Sequence, residues 1–143
     1  MYTPIDCLNG LLRGEISAVE TYSLALKKLD TSAFSSTLMK CQMAHQDRVV
    51  KLRDKICALG GKASEDSGPW GSFAKFLEAS AATIGDKTSI DLLEEGEDHG
   101  LKIYRDEFVK CDDAGVRKLI QNELLPNQEQ THTEMCMLKK IIH

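Results

Sequence analysis

Proline is scarce in this chain of 143 residues: there are three, at positions 4, 69 and 126. Strand signals are also nearly absent, which leaves little room for a β architecture. The cysteines, Cys7, Cys41, Cys57, Cys111 and Cys136, are odd in number and form no C-x-x-C pair. That argues against a zinc knuckle, a rubredoxin-type iron site and a disulfide scaffold. Most fall on apolar faces, as small buried hydrophobes do in a reducing cytoplasm. No basic block or aromatic-basic stripe occurs and the formal net charge is −4, so no nucleic-acid partner is expected. No segment is apolar for long enough to cross a bilayer, so no membrane partner is expected. The opening MYTPIDCLNG lacks a basic n-region and a long apolar run, so no signal peptide is expected and the cytoplasm is the expected location.

What remains is helix. With 42% apolar and 28% charged residues, the chain suits one domain, residues 1–143, with a full core. Four long amphipathic patterns span about 3–29, 32–59, 88–111 and 114–141. Asp30, Thr31 or Ser32 offers an N-cap for the second, and Gly60-Gly61 stops it. Thr88 and Asp91 are spaced like a capping box for the third. The CDDAG turn supplies an aspartate cap for the fourth, which Pro126 should kink or split. Short turns join the first helix to the second and the third to the fourth, predicting two antiparallel hairpins. Residues 60–87 form a long crossover, with a short extra helix near 70–83 anchored by Trp70, Phe73 and Leu77. An up-down-up-down bundle does not need that length, whereas a bundle with one long crossover does.

Polar residues interrupt the apolar seams. The first stripe runs Ile5, Leu8, Leu12, Glu15, Val19, Tyr22, Leu26, Leu29, in steps of three and four. A carboxylate there costs free energy unless its charge is compensated. The stretch GEISAVETY at 14–22 is answered by GEDHGLKIY at 96–104, so Glu97 and Tyr104 repeat the placement of Glu15 and Tyr22. The partner helices carry Gln42-x-x-His45 and Glu129-x-x-His132, each pair on one helix face. Glu15 and His45 lie 16 and 14 residues from the first turn, and Glu97 and Glu129 each lie 16 from the second, so they share one height. One Glu from each of two helices and Glu-x-x-His from each of the other two is the ligand set of di-metal carboxylate bundles. The expected metal ligands are therefore Glu15, Gln42, His45, Glu97, Glu129 and His132, with Tyr22 and Tyr104 as hydrogen-bonding or redox neighbours. Glu94, one turn before Glu97, is an alternative ligand, and His99 is expected to be exposed. Taken singly, each residue has an ordinary explanation, such as a seam-edge acid, a core histidine or a core aromatic. Their shared order and height make the set stronger than its parts. Gln42 stands where a carboxylate is expected, which allows an asymmetric metal pair, a single ion or no ion.

LNGLLRGEISAVETY resembles the first helix of bacterioferritins and rubrerythrins, and HQDRVVKLRDKICALGG resembles their second. LGGKASEDSG and LLEEGEDHGLKIYRDEF resemble more closely a bacterial family of uncharacterised, rubrerythrin-related four-helix-bundle proteins, a domain of unknown function. The resemblance covers essentially the whole chain. It implies an all-α, ferritin-like four-helix bundle and supplies no reaction. Two functional expectations follow. One is a di-metal carboxylate protein, holding two iron ions or another divalent metal and handling oxygen or peroxide. No rubredoxin module is present, so it would need a separate electron donor. The other is a metal-free bundle, a structural or interaction module whose polar core fixes helix register. A homodimer is expected in either case.

Overall fold

The computed structural model describes residues 2–29, 32–68 and 85–142. Every regular element among them is helical. The elements are α1 (Pro4–Lys28), α2 (Ser32–Ala58), α3 (Asp86–Lys110), α4 (Ala114–Leu119), a π-helical turn (Ile120–Leu124) and α5 (Leu125–Ile142).

Local chemistry sets these limits. Thr3, just before Pro4, and Asp6, in the first turn, form a reciprocal capping box, and Lys27 and Lys28 complement the dipole at the far end of α1. At the end of α2, Gly60 adopts φ +79°. Its N–H donates to the Cys57 carbonyl, and that of Gly61 to the Ile56 carbonyl, closing the last turn. Asp113 caps α4 by accepting from the Val116 N–H at 2.9 Å. Helix α3 begins at Asp86 behind Gly85, with no side-chain cap. The expected box of Thr88 and Asp91 therefore falls inside the helix, because Asp86 already supplies the acid its first turn favours. Of the three caps expected for α2, Ser32 is instead its first helical residue, while Asp30 and Thr31, like the extra helix near 70–83 with Trp70, Phe73 and Leu77, lie outside the described residues.

Pro126 neither splits nor ends the last helix. The Leu125 N–H reaches back to the Ile120 carbonyl, five residues away, so the turn before the proline is wider than an α-helical one. That wider turn accommodates a ring that has no N–H and would crowd the preceding carbonyls. It also absorbs drift. Val116, Ile120, Leu124 and Gln128, all buried, advance by fours, which overruns a 3.6-residue turn by about 120° in total.

Contacts between helices fix the topology. Glu15 meets Tyr104 and Tyr22 meets Glu97, so α1 and α3 are antiparallel. Lys40 meets Glu134 and Lys51 meets Glu123, so α2 and α5 are antiparallel too. α1 packs chiefly on α2, and α3 on α5. The order is up, down, down, up, with Ala58 and Asp86 at opposite ends of the bundle. Its interior has three levels. Leu8, Leu12, Leu52, Ile56, Ile120 and Leu124 fill one end, and Ala25, Leu38, Ile90, Leu93, Met135 and Leu138 fill the other. Each fully buried Leu or Ile contributes roughly 1.5–3 kcal/mol. Between the two apolar levels lies a polar one.

Candidate functional site

All four long helices supply that polar level. Glu15 comes from α1, His45 and Arg48 from α2, Glu97 from α3, and Gln128 and Thr131 from α5, and all are buried. His45 bridges the two acids, with Nδ1 2.6 Å from Glu15 Oε2 and Nε2 2.6 Å from Glu97 Oε2. One ring serves two carboxylates in this way only as an imidazolium, donating from both nitrogens. Tyr104 donates to Glu15 Oε1 at 2.7 Å and Tyr22 to Glu97 Oε2 at 2.6 Å. The repeat in sequence is thus an exchange in space: the tyrosine of each helix serves the glutamate of the other. Thr131 Oγ1 and Gln128 Nε2 donate to Glu97 Oε1 at 2.7 and 2.9 Å. Gly100 leaves room for Gln128, because a Cβ there would meet its amide nitrogen at 3.0 Å.

Arg48 completes the cluster. Its Nε lies 3.2 Å from Glu15 Oε1, an ion pair angled too poorly to be a hydrogen bond, so that N–H has no acceptor. Nη1 donates to Asn127 Oδ1 at 2.7 Å. Nη2 is 2.7 Å from His45 Nδ1, the one like-charge contact in the cluster. Two acids face two cations, so the buried charge sums to zero.

The electrostatics follow from these neighbours. Burial pushes the Glu15 carboxyl up, but the Arg48 guanidinium, His45 and the Tyr104 hydroxyl outweigh it and hold the group down at about 2. Burial likewise opposes ionisation of Glu97, and His45, Tyr22 and Thr131 hold it below the usual carboxylate range. Burial and Arg48 disfavour the His45 imidazolium, yet Glu15 and Glu97 raise it above the ordinary histidine value. Burial, then the adjoining carboxylates, lifts both tyrosines well above theirs.

Of the residues singled out from sequence, Glu15, His45, Glu97, Tyr22 and Tyr104 come together, and three others do not. Gln42 turns toward α1, donating to the Val19 carbonyl at 3.1 Å and to Ser23 Oγ at 2.6 Å. Glu129 is exposed, 3.9 Å from Arg105 Nη2. His132 is half-buried on the α3–α5 seam, 3.4 Å from Asp98 Oδ1. The reason is register. The inward face of α5 carries Gln128, Thr131, Met135 and Leu138, and Glu129 and His132 each stand one residue, about 100°, further round. His99, Glu95 and Asp98 are exposed. A cavity of about 620 Å³ borders the cluster on the α1–α3 side, lined among the described residues by Gly10, Gly14, Ala18, Gly96 and Gly100 above Glu15, His45 and Glu97.

Fold and site thus define an all-α helical bundle with an ion cluster at mid-height. Residues 3–110 match the model of a family described as "Domain of unknown function (DUF2383)", and the chain belongs to that family. Comparisons with curated proteins and with solved structures returned no match. No helix among the described residues is long and apolar enough to cross a membrane.

Proposed function

We propose that this chain is a ferritin-like four-helix bundle whose inter-helix cation position is filled by its own side chains, and that it serves as a structural or protein-interaction module. The single long crossover between two antiparallel helix pairs supports the ferritin-like reading. One observation carries the rest: all four carboxylate oxygens of Glu15 and Glu97 face donors from the chain, and His45 and Arg48 balance both charges. Two dications placed among these residues would meet only two carboxylates and would lie beside a buried guanidinium. That donor set does not fit a di-metal centre. The cluster instead holds four helices in one register, since a shift of any helix breaks a buried ion pair or a hydrogen bond to one of its members.

A second reading rests on a specific feature, the convergence of Glu15, His45 and Glu97 beneath the cavity. It is the di-iron carboxylate protein, supplied with electrons by a separate donor. Anaerobic loading of the full chain with ferrous iron, followed by desalting and elemental analysis, separates the two. Iron near zero, with melting unchanged by chelator, supports the self-neutralised core. Roughly two irons per chain, lost in Glu97→Ala and kept in Cys136→Ser, would establish the di-iron reading instead.

A further inference from the structure

A second cluster occupies the seam between α3 and α5, outside the buried level. His132 and Cys136 stand four residues apart on α5, hence on one face. Glu94 reaches them from α3, and one donor atom from each of the three lies within 4.8 Å of the others. Cys136 Sγ is 4.0 Å from Glu94 Oε1, and 3.9 and 3.7 Å from Nδ1 and Nε2 of His132. A tetrahedral zinc ion, bonded at about 2.3 Å to sulfur and about 2.0–2.1 Å to nitrogen or oxygen, sets such donors about 3.6 Å apart. The gaps to the sulfur exceed that by a few tenths of an ångström, within the reach of small side-chain rotations, and the glutamate and histidine donors lie within 4.8 Å of each other.

The surroundings fit as well. Asp98 Oδ1 lies 3.4 Å from His132 Nε2, and the two ring nitrogens stand at similar distances from the sulfur, so a small turn of the ring presents Nδ1 to an ion while Nε2 keeps Asp98. Lys139 Nζ lies 3.8 Å from the other Glu94 oxygen. All three donors are half-buried, so an ion can reach them from solvent.

We propose that Glu94, His132 and Cys136 form a three-ligand site for a borderline-soft divalent ion of the zinc class, with its fourth position open to water. Thiolate and imidazole select such an ion over magnesium or calcium, which prefer oxygen ligands. On binding, the thiol proton leaves to solvent, and one thiolate and one carboxylate then neutralise the dication.

Cobalt(II) titration of the reduced full chain tests this, because cobalt bound to a thiolate gains a charge-transfer absorption that oxygen and nitrogen ligands do not give. The expected result is saturation at one cobalt per chain and bleaching of the band by zinc. Cys136→Ser should abolish the band, and His132→Gln should weaken binding by at least about tenfold. Cys57→Ser, at an exposed cysteine, should change nothing. Circular dichroism checks each variant's folding, and His132→Gln carries the test alone if Cys136→Ser misfolds. No side chain of the buried cluster contains sulfur, so cobalt bound there would give no such band. Absence of the band at stoichiometric cobalt, or its survival in Cys136→Ser, would overturn the proposal.

Discussion

Arg48→Met tests the self-neutralised core most directly. Methionine fills much of the same space but removes the cation, leaving the cluster with two acids and one imidazolium. At the 3.2 Å separation from Glu15, and an effective dielectric of about 20, the lost attraction is about 5 kcal/mol. Relief of the contact with His45 returns part of it, while the donor to Asn127 is lost. Removing one partner of a buried pair typically costs about 3–5 kcal/mol, and the lower end, ~3 kcal/mol, applies here. For a chain of this size that lowers Tm by roughly 10 °C. Urea denaturation near neutral pH measures the loss. The double variant Glu15→Gln/Arg48→Met sharpens the test, because it restores neutrality with Glu97 and His45 still paired. It should be more stable than Arg48→Met alone, even though it carries one more substitution. A loss below about 1 kcal/mol in the single variant, or a double variant less stable than the single, would refute the reasoning.

Further expectations concern acid, base and the neighbouring side chains. The Glu15 carboxyl is lowered from 4.5 to about 2, so its contribution, ~3 kcal/mol, is complete above the unfolded value and fades as pH falls from 4.5 toward 2. Acid titration of urea stability should show that loss in the wild type and a smaller one in Glu15→Gln. The His45 imidazolium is raised, so its contribution is complete below pH ~6.5 and is lost as pH rises through its folded value. Its ring proton signals in NMR should stay in the charged form past the pH at which a free histidine titrates. Tyr104→Phe removes one donor to a buried carboxylate and should cost about 1.5–3 kcal/mol, with Tyr22→Phe similar, both read by urea denaturation. Gln42→Glu should weaken the α1–α2 contact by about 1 kcal/mol without creating iron binding, because its side chain faces Val19 and Ser23. Glu129→Ala should leave stability within about 0.5 kcal/mol in the same assay.

Much of the bundle could be read from sequence because its signals are local. Apolar spacing, Gly60-Gly61 and Asp113 each act within a turn or two, and they mark where helices run and stop. Glu15 and Glu97 were legible for a related reason: a carboxylate on an apolar stripe announces a buried charge before any partner is known. The same argument applies with the sign reversed to Arg48. It lies on the stripe of Cys41, His45, Leu52 and Ile56, three residues from His45, and a cation there demands an anion as surely as Glu15 demands a cation. A search for metal ligands passes over it because arginine is not one. Gln128 and Thr131 were hidden differently. The Glu-x-x-His motif sits one residue past them, and motif matching has no sense of which face of a helix turns inward. Alternating fours and threes, close to a 3.6-residue turn, lead from Leu124 through Gln128, Thr131 and Met135 to Leu138, whereas His132 and Glu129 are reached from Met135 only by repeated threes, which drift about 60° each. When a motif and the apolar stripe disagree by one residue, the stripe decides, because burying the leucines is worth more than any single polar contact. Glu129→Leu tests that rule on this chain. It matches the motif position but not the stripe, so it should leave urea stability nearly unchanged, whereas Thr131→Leu, one residue from His132, should cost at least about 2 kcal/mol by stripping a donor from Glu97. Equal effects would mean that the α5 register is not the one that holds the cluster.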